Sequence, residues 1–373
     1  MKRVIVSLFI FIVTIMGVDI NANAENNLCN GASSAILYET NTDTILYEKD
    51  INKRVSPASM TKIMTLLLIY EDLEKGIISK ETVYTITYEG ANVEGSKAYL
   101  SVGEQINVDE LIKCITIASA NDAAKTMAIE LAGSEELFAK RMNEKVLELG
   151  LKDTMFSDCT GLASKNHYTS AYDLAIISKE LITKYPDVLN YTNIKEDYIR
   201  KNTEKPFWLV NTNKLIGRVD GVNGLKTGFT SFSRYCITFH MEKDNMDLIS
   251  VVFVYDTSLN RNKESLELLR YGMSNYKVDK VLKKGEVLES FNHILFKDSM
   301  DIKVKEDIYY LSKKTDKYQY TYDYSYNIKD NNSEIKVYLD NKEIYKDCLD
   351  INLNNKKNIF ELMLSILKET FCK

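Results

Sequence analysis

Three short groupings of hydroxyl, amine and amide side chains give this sequence its chemistry. Ser59 and Lys62 lie three apart within Ser56-Pro57-Ala58-Ser59-Met60-Thr61-Lys62. On a helix that spacing puts both side chains on one face. A serine hydroxyl becomes a nucleophile when a base takes its proton, and a neutral lysine amine one turn away is such a base. Spacing alone does not single the pair out, because Ser274/Lys277, Ser333/Lys336 and Ser365/Lys368 repeat it. Its setting does. Ser56-Pro57 reads as a helix start, with Ser as N-cap and Pro at the first helical position. Ile63 to Ile69 is apolar on nearly every side, which predicts a helix buried in its domain. A serine low on that helix meets the positive end of the macrodipole.

The second grouping is Ser119-Ala120-Asn121. Asn107-Val108-Asp109-Glu110 reads as a capping box opening one helix, and Asp122 to Ala132 reads as another. Ser119 and Asn121 therefore fall at a tight junction where a hydroxyl and an amide can point into a cleft, although a plain helix cap would look the same. The third is Lys226-Thr227-Gly228, which leads into a hairpin and so belongs on an edge strand. There Lys226 and Thr227 can bind a substrate carboxylate, and Gly228 lets backbone approach the substrate closely. The chain has 3 His; no motif builds a Ser-His-Asp triad on His167, His240 or His293, and no His-rich metal site is expected.

The elements that must position these groups follow an α+β pattern. Residues 25–55 read as short strands (Ala35 to Tyr38, Thr44 to Tyr47), residues 56 to 190 as mainly helical, and 207 to 256 as strands again. Tyr235–Met241 and Leu248–Tyr255, joined by Lys243-Asp244-Asn245, predict an antiparallel hairpin. Residues 264–276 predict a helix packed on that sheet. Strands at both ends with helices between indicate an α+β layer structure, not alternating βαβ units. From about 280 to 355 the texture changes to Tyr, Lys, Asp and Asn with short alternating stretches such as Ile302-Lys303-Val304-Lys305. Tyr318, Tyr320, Tyr322, Tyr324 and Tyr326 share one face of a strand at period two, predicting a small β domain with an aromatic packing face.

In this order the three groupings resemble the D-alanyl-D-alanine carboxypeptidases, the low-molecular-mass penicillin-binding proteins of the serine-type penicillin-binding/β-lactamase-like superfamily. Ser119 lies 57 positions after Lys62, and Lys226 lies 105 after Asn121. The likeness extends through Ser56 to Thr65, Ala118 to Ala124, Asn211-Thr212-Asn213-Lys214 and Asp220 to Thr230, and to Arg261 just ahead of the helix carrying Leu268-Leu269 and Gly272. It is strong over about 30–280 and loose over 281–373. The resemblance implies a β-lactamase/transpeptidase-like catalytic domain at 25–278, an antiparallel sheet with a helical cluster, then a small β-rich domain at 279–355. It implies a carboxypeptidase that removes the terminal D-alanine of peptidoglycan stem pentapeptides through an acyl-enzyme on Ser59. Lys62 would be the base, its pKa lowered by burial and by Lys226. Ser119 would relay a proton, Asn121 would hold the peptide amide, and Lys226, Thr227 and Arg261 would bind the terminal carboxylate. The backbone N–H groups of Ser59 and Phe229 would form the oxyanion hole. β-Lactam antibiotics would be covalent inhibitors, and no cofactor is called for.

Two departures bear on that resemblance. Ser233-Arg234 stands where many relatives have Ala-Gly, at the rim of the cleft, and His167 in Asn166-His167-Tyr168 reads as structural. A class A β-lactamase would carry Glu-x-x-Leu-Asn to activate its deacylating water; the nearest likeness ends in Leu189-Asn190 and has Pro186 in place of the glutamate. Peptidoglycan endopeptidase action uses the same machinery, and an idle cell-wall scaffold could keep the fold.

Composition and the chain ends set the location. Lys2-Arg3, the apolar run Val4–Val18 and Ala22-Asn23-Ala24 read as a signal peptide over 1–24, predicting an exported protein at the outer face of the cytoplasmic membrane. A formal net charge of −5 argues against a nucleic-acid partner. Of the six cysteines, Cys114, Cys159 and Cys236 read as buried small hydrophobes. Residues 356–373 read as an amphipathic helix, with Ile359, Phe360, Leu362, Met363, Leu364, Ile366, Leu367 and Phe371 on one side, fit to lie along a membrane surface.

Overall fold

Central strands buried on both faces explain why the molecule is layered. The computed structural model describes residues 28–162, 166–201, 203–292, 296–297, 299–327, 332–351 and 357–371. The signal peptide expected over 1–24 and His293 lie outside them. Strands β1 (Ser34–Glu39) and β2 (Thr44–Lys49) open the chain. Helices α1 (Lys62–Glu74), α2 (Val108–Ile117), α3 (Asn121–Ala132), α4 (Glu135–Glu148) and α5 (Ala171–Lys184) follow. Strands β3 (Val222–Thr230), β4 (Arg234–Lys243) and β5 (Met246–Tyr255) complete an antiparallel sheet of order β2-β1-β5-β4-β3. Helix α6 (Ser258–Asn275) packs on it.

Successive side chains of a strand face opposite ways, and here both faces are buried. Ile36, Cys236, Ile249, Val251 and Phe253 join the core under the helical cluster, whereas Leu37, Ile237, Phe239, Leu248 and Val252 join a second core with Leu268 and Leu269 of α6. Gly272 lets α6 sit close, since a Cβ there would come within 2.8 Å of Leu37 Cδ2. The predicted hairpin is β4–β5, turned through Asp244 and Asn245, both at positive φ. Lys226-Thr227-Gly228 lies on the edge strand β3, as the sequence pattern requires.

Helix α1 is buried from Lys62 to Asp72, and its partners are α5 and α3. Its start corrects one expectation. Ser56 does not cap a helix; a 3-10 turn over Ala58–Thr61 comes first, with no side-chain cap, and α1 begins at Lys62. Ala58 has φ 47°, which turns the chain out of the helical path just ahead of Ser59. The cap on α2 is half as expected: Asn107 Oδ1 accepts from Glu110 N at 2.8 Å, but Glu110 Oε1 accepts from Arg200 N. Helix α6 starts at Ser258, earlier than 264, because Thr257 caps it by accepting from Asn260 N. Arg261 is therefore inside the helix and not ahead of it.

Beyond α6 come β6 (Tyr276–Leu282), β7 (Val287–Phe291), β8 (Met300–Lys303), β9 (Ile308–Lys313), β10 (Tyr320–Asn327), β11 (Asn332–Leu339) and β12 (Lys342–Asp347). They form small antiparallel sheets around a core of their own, including Val281, Ile302, Val304, Ile308, Ile335 and Val337. The tyrosine row is not one packing face. Tyr318 precedes β10 and bonds to Asp279, and Tyr320 and Tyr322 are exposed. Tyr324 packs against the core and donates to Glu289. Helix α7 (Ile359–Phe371) carries exposed Ile359, Phe360, Met363, Leu364 and Ile366. Among the described residues no helix is long and apolar enough to cross a membrane.

Candidate active site

The turn bearing Ser59 is clasped between two segments that come close only through glycine. Gly161, at φ 87°, occupies a place where a Cβ would fall 1.8 Å from Ala58 O, and a Cβ on Gly228 of β3 would fall 2.8 Å from Pro57 O. Asp158 shapes the first segment, its Oδ1 accepting from Thr160 N at 2.7 Å and Gly161 N at 2.6 Å. Beneath the turn, Thr61 Oγ1 and His167 Nε2 are 2.7 Å apart, and Ser157 N donates to His167 Nδ1 at 3.1 Å. Burial holds His167 below its usual pKa, consistent with a neutral ring that donates from Nε2 to Thr61. These contacts tie His167 to the base of the nucleophile turn.

Lys62 is fully buried, with its Nζ 3.1 Å from Ser59 Oγ, 2.6 Å from Asn121 Oδ1 and 2.9 Å from Thr160 O. Burial takes its pKa down to about 8 against the opposing pull of Asp158 and Asp122. Desolvation is the leading cause, and the mutual repulsion of Lys62 and Lys226 disfavours charging both at once. When Lys62 is neutral, its two N–H bonds suit the amide and carbonyl oxygens, which leaves the lone pair for Ser59 Oγ–H.

Ser119 and Asn121 come from the α2–α3 junction. Ser119 has φ 59°, and its buried Oγ has no hydrogen-bond partner. Asn121 is fixed at both ends, its Nδ2 donating to Glu94 O at 2.6 Å and its N to Ser96 O at 2.7 Å. Asp122 holds the same loop by accepting from Ala98 N and Leu100 N.

The opposite wall is β3. Lys226 is buried, donates to Thr227 O at 3.2 Å, and has its pKa pushed well down by burial, then by Lys62 and Arg261. Thr227 Oγ1 donates to Thr212 Oγ1 at 2.8 Å. Arg261 Nη1 donates to Cys236 O at 3.3 Å, on the residue paired with Gly228, and burial lowers its pKa to about 10. Among the described residues no carboxylate lies within ion-pair distance of Lys62, Lys226 or Arg261. Lys226 and Arg261 thus lie buried without an acidic partner, and burying such groups unpaired is costly. Phe229 follows Gly228 with its ring exposed against Tyr235, at 4.4 Å between centroids. Hydrogen bonds and charge coupling thus link Ser59, Lys62, Asn121, Lys226 and Arg261, with Ser119 two residues before Asn121.

A family model described as D-alanyl-D-alanine carboxypeptidase matches residues 21–257. The chain belongs to the D-alanyl-D-alanine carboxypeptidase family. It is 46% identical over 263 residues to the D-alanyl-D-alanine carboxypeptidase DacF of Bacillus subtilis, covering 70% of this chain and 67% of that one. Penicillin-binding protein 5 from Haemophilus influenzae superposes with a TM-score of 0.72 at 28% identity, covering 88% of this chain and 98% of the other. Penicillin-binding protein D2 from Listeria monocytogenes, solved in its ampicillin-bound form, gives 0.60 at 30% identity, over 66% and 99%. The fold and the serine D-Ala-D-Ala carboxypeptidase activity expected from the sequence are those of this family.

The candidate site also contains groups that motif reading missed. Thr160 serves through its backbone carbonyl, which no residue type announces. Thr212 N donates to Ile117 O at 3.1 Å, while Asn211 Nδ2 donates to Thr192 O and Ile194 O. That segment braces β3 against the α2–α3 junction. Its sequence likeness was visible, but the bracing role was not. Among the described residues no group of three or more His, Cys, Asp or Glu is placed to hold a metal ion.

Proposed function

We propose that Ser59 attacks the carbonyl between the two terminal D-alanines of a peptidoglycan stem pentapeptide, with Lys62 as its base. The observation that carries this is a buried lysine of depressed pKa, 3.1 Å from a hydroxyl on a clasped turn. Proton transfer to Lys62 frees Oγ to attack. The tetrahedral oxyanion is held by the N–H groups of Ser59 and Phe229, on the two sides of the cleft. Ser119, whose hydroxyl is unengaged, passes the proton to the departing amine, and Asn121 holds the peptide amide. D-Alanine leaves, and water activated by Lys62 cleaves the ester and restores Ser59. The terminal carboxylate sits among Lys226, Thr227 and Arg261. Its arrival supplies the missing counter-charge and favours the charged form of Lys226.

A β-lactam would acylate the same serine and leave slowly. The sequence segment nearest a lactamase's deacylation loop has its carboxylate engaged elsewhere: Asp187 accepts from Lys80 at 2.6 Å and from Asn190 at 3.0 Å. The chain is taken to be exported by residues 1–24, with a catalytic domain at 25–278 and a β-rich domain at 279–355. Residues 356–373 lay the exposed apolar side chains of α7 on the membrane surface. Mass analysis of a pentapeptide after incubation tests the reaction: loss of one alanine supports it, while cutting only at cross-links makes the enzyme an endopeptidase. Labelled penicillin separates the rivals, since rapid release indicates a lactamase and no labelling an idle scaffold.

A further inference from the structure

Two serines outside the motifs join the walls of the cleft. Ser233 Oγ donates to Ser56 Oγ at 2.7 Å, and both residues are buried. Ser233 is in turn fixed to the end of β3: Thr230 Oγ1 donates to Ser233 Oγ at 2.9 Å and accepts from Ser233 N at 2.8 Å. Thr230 pairs with Arg234 across the ladder, so the loop between them has only Ser231, Phe232 and Ser233. Arg234, at φ 56°, closes it. On the other wall, Ser56 directly precedes the Pro57 whose carbonyl accepts from Met60 N at 3.1 Å and starts the nucleophile turn. The hydroxyl chain therefore runs from the residue after Phe229 to the residue three before Ser59.

We propose that the Thr230–Ser233–Ser56 chain is a positioning latch that sets the spacing of the two oxyanion donors. It rests on the reading in which Ser59 and Phe229 supply those donors. One donor belongs to the nucleophile turn and the other to the edge strand. Their separation is the register between two segments that no backbone ladder joins. Gly228 holds these segments in contact but restrains only how closely they approach. The buried Ser233–Ser56 bond, tied through Ser233 to Thr230 next to Phe229, restrains sliding along the strand. Oxyanion stabilisation depends on donor placement to a fraction of an ångström, so the latch acts on both acylation and deacylation, each of which passes through an oxyanion. Ground-state binding of the carboxylate by Lys226, Thr227 and Arg261 does not require it.

The test follows single turnovers of a fluorescent penicillin, which give acylation and release rates, together with kcat and KM for a pentapeptide. Ser233→Ala is expected to slow acylation and release alike, by about tenfold, less than the full loss of an oxyanion donor, with KM within twofold of wild type. Ser56→Ala should give the same loss, and the double variant no more than either single, because each breaks the same link. Ser233→Thr retains the hydroxyl and should recover most of the rate. Wild-type acylation in Ser233→Ala, losses that multiply in the double variant, or an effect confined to KM or to thermal stability would overturn the latch. Labelling that survives Ser59→Ala would instead overturn the nucleophile reading beneath it.

Discussion

If Lys62 is the base, the pH at which the enzyme gains activity is set by burial. A lysine titrating at about 8 is roughly one-tenth neutral at pH 7, against about one part in 3,000 for one at its ordinary 10.5. Burial thus enlarges the competent fraction about 300-fold. kcat/KM for D-alanine release should rise tenfold per pH unit below the transition, bend near pH 8 and level off above it, since this ratio reports the free enzyme. Asp158 supplies the control. Its charge favours the Lys62 ammonium, while its Oδ1 shapes the 158–161 segment. Asp158→Asn keeps an acceptor oxygen and removes the charge, so the rising limb should move toward acid. The assay is initial-rate D-alanine release from pH 6 to 10, with penicillin acylation followed in parallel. A flat profile from pH 6 to 9, a limb above pH 10, or an alkaline shift in Asp158→Asn would refute the assignment of the base.

Lys62→Arg should abolish D-alanine release and acylation, because guanidinium keeps its proton in proteins; Lys226→Arg should be milder, since it preserves a cation for the carboxylate, and steady-state kinetics of the two separate these roles. Gly161→Ala should cost roughly 2–3 kcal/mol in denaturant unfolding and disable acylation, because its Cβ would meet the Ala58 carbonyl. A chain ending at Asn355 should remain active and stay in the supernatant with liposomes, while the longer chain sediments; if neither sediments at low salt, α7 is not an anchor.

How far the sequence could be read depended on what carried each feature. Side-chain chemistry was legible: Ser59, Lys62, Ser119, Asn121 and Lys226 are rare enough in combination to be recognised, and the β4–β5 hairpin shows in its apolar runs. Contacts made by backbone were not. Thr160 holds Lys62 through a carbonyl that every residue possesses. Ser56 looked like a helix cap because serine before proline favours one locally; packing of Gly161 and Gly228 on the turn overrode that preference, and its hydroxyl found Ser233. The tyrosine row has strand periodicity, but periodicity names a face without saying what covers it. Tyr320 and Tyr322 remain exposed because the small core beneath β10 ends near Tyr324.

The thiols have a consequence for how this protein meets oxidants. Cys29, Cys114, Cys159 and Cys236 are unbridged and buried. Desolvation raises Cys29 and Cys236 to about 12 and carries Cys114 and Cys159 well up. Exchange and oxidation proceed through the thiolate, so at neutral pH these four are nearly inert while the fold stays closed. Cys348, exposed and 3.5 Å from Lys305 Nζ, is the described thiol open to solvent. Among the described thiols, cross-linking of two copies under oxidation should therefore run through Cys348, whereas an unfolded chain would release four more thiols to scramble. Oxidation of any of these four buried thiols is a record of unfolding.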